Sequence, residues 1–133
     1  VKALINNGRV YSTDVCLPIS KITECVNYAE DQAKKFGLRA PMVGHLGDGN
    51  FHVLLPFDPD KKETYKKIRE FNDLLIKKAL ELEGTITGEH GVGLHKKEYL
   101  LEEHADNIPV MKLIKKSIDK NNIMNPGKIF DLN

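Results

Sequence analysis

Alternating and helical periods along this chain predict an α+β fold of ferredoxin-like type, an antiparallel sheet with helices on one face, followed by C-terminal helices. Three features carry that expectation. The apolar residues run in the order β-α-β-β-α. An Asp-Gly pair sits between two short apolar runs, which signals an antiparallel hairpin. A β-prone run, Thr85-Ile86-Thr87, follows the second helix and would complete a split β-α-β unit.

The elements follow in order. Arg9 to Leu17 alternates, with Tyr11, Thr13, Val15 and Leu17 on one side, and reads as a half-buried strand ended by Pro18. Ser20 starts a helix whose apolar positions Ile22, Cys25, Val26, Ala29, Ala33 and Phe36 keep helical spacing, and Gly37 supplies a left-handed stop. Met42–Leu46 and Phe51–Phe57 are strands joined through Gly47-Asp48-Gly49-Asn50. Asp58-Pro59-Asp60 breaks the second strand, and Lys62 to Glu83 forms a long amphipathic helix with Ile68, Phe71, Leu75, Ala79 and Leu82 on one stripe. Two more helices are expected, Lys96 to Glu103 and Ile108 to Lys120. Turns at Asn121-Asn122 and Asn125-Pro126-Gly127 then leave Lys128-Ile129-Phe130 as an extended tail.

A chain of 133 residues with no linker or repeat is expected to be a single domain, residues 1–133. Its 20 Lys+Arg against 19 Asp+Glu leave no positive excess to favour nucleic acid or an anionic membrane as partner. A hydrophobic fraction of 41% argues against disorder. No apolar run reaches the ~18–20 residues of a transmembrane helix, and the start lacks the basic-then-apolar layout of a leader, so a cytoplasmic protein is the expectation. Cys16 and Cys25 read as reduced, small apolar residues.

Chemistry concentrates in two places. If Asp48-Gly49 is a two-residue loop, His45 faces His52 across the hairpin with Cβ atoms ~4.5–5.5 Å apart, a natural pair of metal ligands. A longer loop would shift that register, and the alternative of one buried, satisfied His and one solvated His stays open. The second place is Gly88-Glu89-His90-Gly91-Val92-Gly93. There Glu89 would complete a two-His, one-carboxylate set and His90 would be placed to accept a proton, or the segment is simply a glycine-rich polar turn. Its glycine order is reversed relative to a dinucleotide fingerprint. His95 and His104 read as solvated surface residues, and spacing alone does not single out Lys96 or Lys128.

The segments TDVCLPIS, GHLGDGNFH, TGEHGVGLHKKEYL and NIMNPGKIF, in this order from Val10 to Phe130, resemble the C-terminal domain of the FAD-linked oxidases. This group within the vanillyl-alcohol oxidase superfamily contains cytochrome-type D-lactate dehydrogenase, glycolate oxidase and D-2-hydroxyglutarate dehydrogenase. The resemblance implies that His45, His52 and Glu89 bind a divalent metal, usually described as zinc, and that His90 is the catalytic base. It also implies that Asn50 and Lys96 lie at the substrate and that Asn125, Gly127 and Lys128 lie at the flavin edge. Hydroxyglutarate-type members are expected to carry Lys and Asn where this chain has Ser12 and Leu54, so the resemblance points to the D-lactate branch.

The implied activity is oxidation of a small D-2-hydroxy acid to the 2-oxo acid, with hydride passing to FAD held by an N-terminal flavin domain that these residues do not include. On that expectation the chain folds alone but is inactive alone. Association at the membrane periphery through an electron acceptor, and a homodimer, are further expectations. A reading from a different class is a stand-alone ferredoxin-like module that binds metal or ligand without redox chemistry.

Overall fold

The computed structural model describes residues 8–132, and the opening stretch on which the absence of a leader is read falls mostly outside them. The chain forms two compact units, Val1–Glu89 and His90–Asn133. The first is α+β as expected. Strand β1 (Arg9–Ser12) and β2 (Val15–Cys16) are followed by α1 (Ile22–Phe36), the hairpin strands β3 (Met42–His45) and β4 (Asn50–Phe57), and α2 (Lys62–Glu81).

β4 pairs antiparallel with each of the other three strands. β1 and β2 share one register, Ser12 opposite Leu54 and Val15 opposite Phe51, so they are two segments of one edge, and β3 takes the other edge. Period 2 then sorts β4 into two faces. Phe51, Val53 and Leu55 are 1% exposed or less and join Val15, while α2 lies against β2 and β4 and α1 packs on α2. Phe71, Leu75 and Ile76 of α2 and Cys25 of α1 complete this core. Each large side chain so buried contributes roughly 1.5–3 kcal/mol. Burial also pushes the Cys25 thiol up to about 11, as befits a packing residue.

Helix ends follow the local chemistry. α1 stops at Gly37 with φ 65°, where the Gly37 and Leu38 N–H groups donate to the Lys34 and Ala33 carbonyls. Its start is a single 3-10 turn, Ile19–Lys21, rather than a capped Ser20. α2 ends at Glu81, and the left-handed residue after it is Glu83 with φ 61°.

Four further expectations need correction. The strand over Arg9 to Leu17 is interrupted at Thr13-Asp14, where side chains take over the pairing. Thr85-Ile86-Thr87 does not form a strand, since only Thr85 bridges, to Cys16. The hairpin loop is longer than two residues: Leu46–Asp48 is a 3-10 turn closed by Gly49 at φ 81°, which pairs His45 with Asn50 and Val43 with His52. A side chain at Gly49 would also meet the Leu17 carbonyl at 2.1 Å, so this turn requires glycine twice over. Finally, Lys128-Ile129-Phe130 is bent, with Ile129 at φ 71° and its N–H donating to the Gly93 carbonyl at 2.7 Å.

The second unit holds α3 (Lys97–His104), a 3-10 turn and α4 (Ile108–Ile118), with Pro109 in the first turn. Asp119 ends α4 by accepting from the Ile123 and Met124 N–H groups at 3.0 and 2.9 Å and pairing with Lys115. Lys115 and these two N–H groups hold the Asp119 carboxyl below its ordinary range. No helix among the described residues is long and apolar enough to cross a membrane.

Candidate functional site

The face of the sheet away from the helices carries Asn50 and His52 from β4 and, by register, Asp14 from the β1–β2 edge. At Thr13 the ordinary ladder is altered. The Val53 N–H donates to the Thr13 hydroxyl at 2.8 Å, which frees the Thr13 carbonyl to accept from His52 Nδ1 at 2.9 Å. The interruption of the strand is therefore what fixes the histidine ring.

This fixes its tautomer as well. A carbonyl oxygen only accepts, so Nδ1 carries hydrogen and Nε2 points onward. Nε2 lies 2.9 Å from Glu89 Oε1. Two lone pairs cannot face each other at this distance, so a proton or a bound cation lies between the two atoms. The 2.9 Å contact is of hydrogen-bond length, and one tetrahedral zinc ion bound to both atoms at ~2.0–2.2 Å would part them to roughly 3.3–3.6 Å. In chemistry the donor pair, an imidazole nitrogen and a carboxylate oxygen, is one that a divalent metal could take after a shift of about half an ångström, and a backbone partner on Nδ1 is the usual support for a metal-binding histidine.

His45 is brought to the same face but not to the same point. It lies diagonally from His52, about 7–8 Å away by ordinary strand spacing, and is exposed. Among the described residues His45, His52 and Glu89 do not form a set of three ligand atoms within 4.8 Å. Asn50 is 6% exposed, and its side-chain oxygen has no hydrogen-bond partner among the described residues. The segment from Thr87 to Glu89 crosses above it: a Cβ at Gly88 would stand 2.5 Å from the Asn50 amide, so only glycine lets that backbone pass so close.

Asp14 is the residue that sequence reasoning missed. It is 2% exposed, accepts from the Thr87 hydroxyl at 2.6 Å and from the Glu89 N–H at 3.2 Å, and lies 3.8 Å from His52 Nδ1. In the sequence it stands on the polar side of an alternating strand, the side that ordinarily meets water. The only signal was its place in the run TDVCLPIS.

The remaining candidates belong to the second unit. His90 is exposed and opens that unit. Lys96 is half-buried at the start of α3, with its N–H donating to the Val92 carbonyl at 3.2 Å. His95 is exposed, while His104 is half-buried and 3.3 Å from Glu103. Asn125, Gly127 and Lys128 come together, lining one cleft of about 250 Å³ with Lys115 and Phe130. Lys97 holds this wall by donating to the Gly127 carbonyl at 3.0 Å and to Asp131 at 2.6 Å. The cleft is below the ~300 Å³ of a usual ligand pocket.

A family model described as FAD linked oxidases, C-terminal domain, matches residues 2–129. A probable mitochondrial D-lactate dehydrogenase of Danio rerio is 42% identical over 98% of the chain and 26% of its own length. The mitochondrial D-lactate dehydrogenase [cytochrome] of Kluyveromyces lactis is 40% identical over 95% of the chain and 22% of its own length. The glycolate oxidase protein GlcD of Bacillus subtilis is 39% identical over 88% of the chain and 25% of its own length. The chain therefore spans about a quarter of the length of these relatives.

Proposed function

Because this chain belongs to the C-terminal domain family of the FAD-linked oxidases, we propose that it forms the substrate- and metal-binding part of an FAD-dependent dehydrogenase oxidising a D-2-hydroxy acid, D-lactate above all. The observation that carries this reading is the pairing of His52 Nε2 with Glu89 Oε1 at 2.9 Å, with Nδ1 committed to a backbone carbonyl. Residues 1–133 act as one C-terminal module of a longer chain, and the flavin-binding part lies in the remaining three-quarters of a protein built like its relatives.

His52 and Glu89 would hold a divalent metal, zinc in the first instance, and the exposed His45 from the adjacent strand would have to move in to serve as the third ligand. When bound, the metal would supply Lewis acidity for a substrate carboxylate and 2-hydroxyl, and a flavin would supply the hydride acceptor. His90, next to Glu89 in the chain, takes the hydroxyl proton. Asn50 borders the substrate, its buried side-chain oxygen having no partner among the described residues, and Lys96 offers a cation to the substrate carboxylate. Asn125, Gly127 and Lys128 face the flavin edge from their common cleft.

A small monocarboxylate agrees with the sheet face. Ser12 and Leu54 are direct cross-strand partners on the same side as His52, and neither brings a charge to meet a second carboxylate. A cytoplasmic location stays within this proposal, although the zebrafish and Kluyveromyces relatives carry mitochondrial names.

Flavin reduction in the full-length protein tests the assignment. His90→Asn is expected to slow reduction by D-lactate about 10²–10⁴-fold, the usual worth of a general base. Reduction at the parent rate would remove His90 from that role.

A further inference from the structure

We infer that Asp14 is a positioning residue for the metal site, holding Glu89 and the ring of His52 facing each other so that one cation can take both. The inference rests on the proposed metal-binding function and deepens it. A register position and three contacts carry it. Asp14 sits directly across the sheet from His52, by the register that pairs Ser12 with Leu54 and Val15 with Phe51. Its carboxylate accepts from the Glu89 N–H at 3.2 Å, fixing the backbone from which the Glu89 side chain reaches His52. Its other oxygen accepts from the Thr87 hydroxyl at 2.6 Å, tying down the segment two residues earlier. It lies 3.8 Å from His52 Nδ1, adding negative charge on the side of the ring away from Glu89.

A carboxylate only 2% exposed needs such partners, because leaving it unpaired in the interior is costly. Its donors come from a segment 73 to 75 residues away, so it joins the edge strand to the carboxylate-bearing loop. Supports of this kind orient the ligating atoms and typically change metal affinity 10–100-fold when removed.

The test uses the full-length protein with zinc as probe, its affinity read by competition with a chromophoric chelator. A second reading comes from the visible spectrum after cobalt(II) substitution. Asp14→Asn is expected to weaken zinc about 10–100-fold and to alter the cobalt spectrum. Thr87→Val, which removes the hydroxyl donor to Asp14, is expected to weaken zinc less, with Thr87→Ser restoring parental affinity. Zinc affinity within about twofold of the parent in Asp14→Asn would overturn the inference. So would a lower unfolding temperature in chelator together with an unchanged cobalt spectrum, the mark of a merely structural residue. Should Asp14→Asn fail to fold, the Thr87 pair decides, and parental affinity in Thr87→Val overturns the inference. His52→Ala separates the two levels: parental zinc affinity in that variant would sink the metal reading itself.

Discussion

The two edges of β4 treat the same face of the sheet in opposite ways. On one edge, Thr13 and Asp14 surround His52 with a carbonyl, a buried carboxylate and a hydroxyl that substitutes in the ladder. On the other, Val43 faces His52 from a position 51% exposed, and His45 one pair further on is exposed. The first edge prepares a ring before any ligand arrives, while the second offers a ring that must still be ordered. A buried, hydrogen-bonded histidine contributes to stability and to binding together; an exposed one contributes to binding alone.

Substitutions at the two histidines probe this difference with the largest effects. His52→Ala removes the ring donor from the Thr13 carbonyl, which keeps only the Ser12 hydroxyl at 3.2 Å, and opens a void, so it is expected to cost ~2–4 kcal/mol in denaturant unfolding as well as most of the zinc affinity. Thr13→Val comes next. It keeps the carbonyl that fixes the ring but leaves the Val53 N–H without its acceptor, at a cost of about 1–3 kcal/mol, and zinc affinity is expected to stay close to parental. His45→Ala is expected to change stability by no more than about 0.5 kcal/mol while still lowering zinc affinity. Equal stability losses for the two histidine variants would erase the distinction between the edges.

How much of this was legible differs by element, for physical reasons. The stripe of α2 and the stop of α1 at Gly37 could be read because helical period and a left-handed glycine are local properties. The core face of the first strand was equally plain from its alternation. The hairpin register was not, because an Asp-Gly pair serves a tight two-residue turn and a 3-10 turn closed by left-handed Gly49 alike, and each sets a different partner for His45. Asp14 was out of reach for another reason. What buries it is the crossing segment Thr87 to Glu89, 73 to 75 residues later, and no local pattern encodes that approach. Glu89 and His52, by contrast, were both named from the sequence, and they do meet.

Everything proposed for the site depends on His52 being held in one tautomer so that Nε2 and Glu89 share a cation. Anomalous scattering at the zinc edge, collected from zinc-loaded crystals of the full-length protein, decides this. The expected result is a peak about 2.0–2.2 Å from both His52 Nε2 and Glu89 Oε1, with Nδ1 still on the Thr13 carbonyl. A zinc peak bound elsewhere, with His52 and Glu89 still in direct contact, would contradict it.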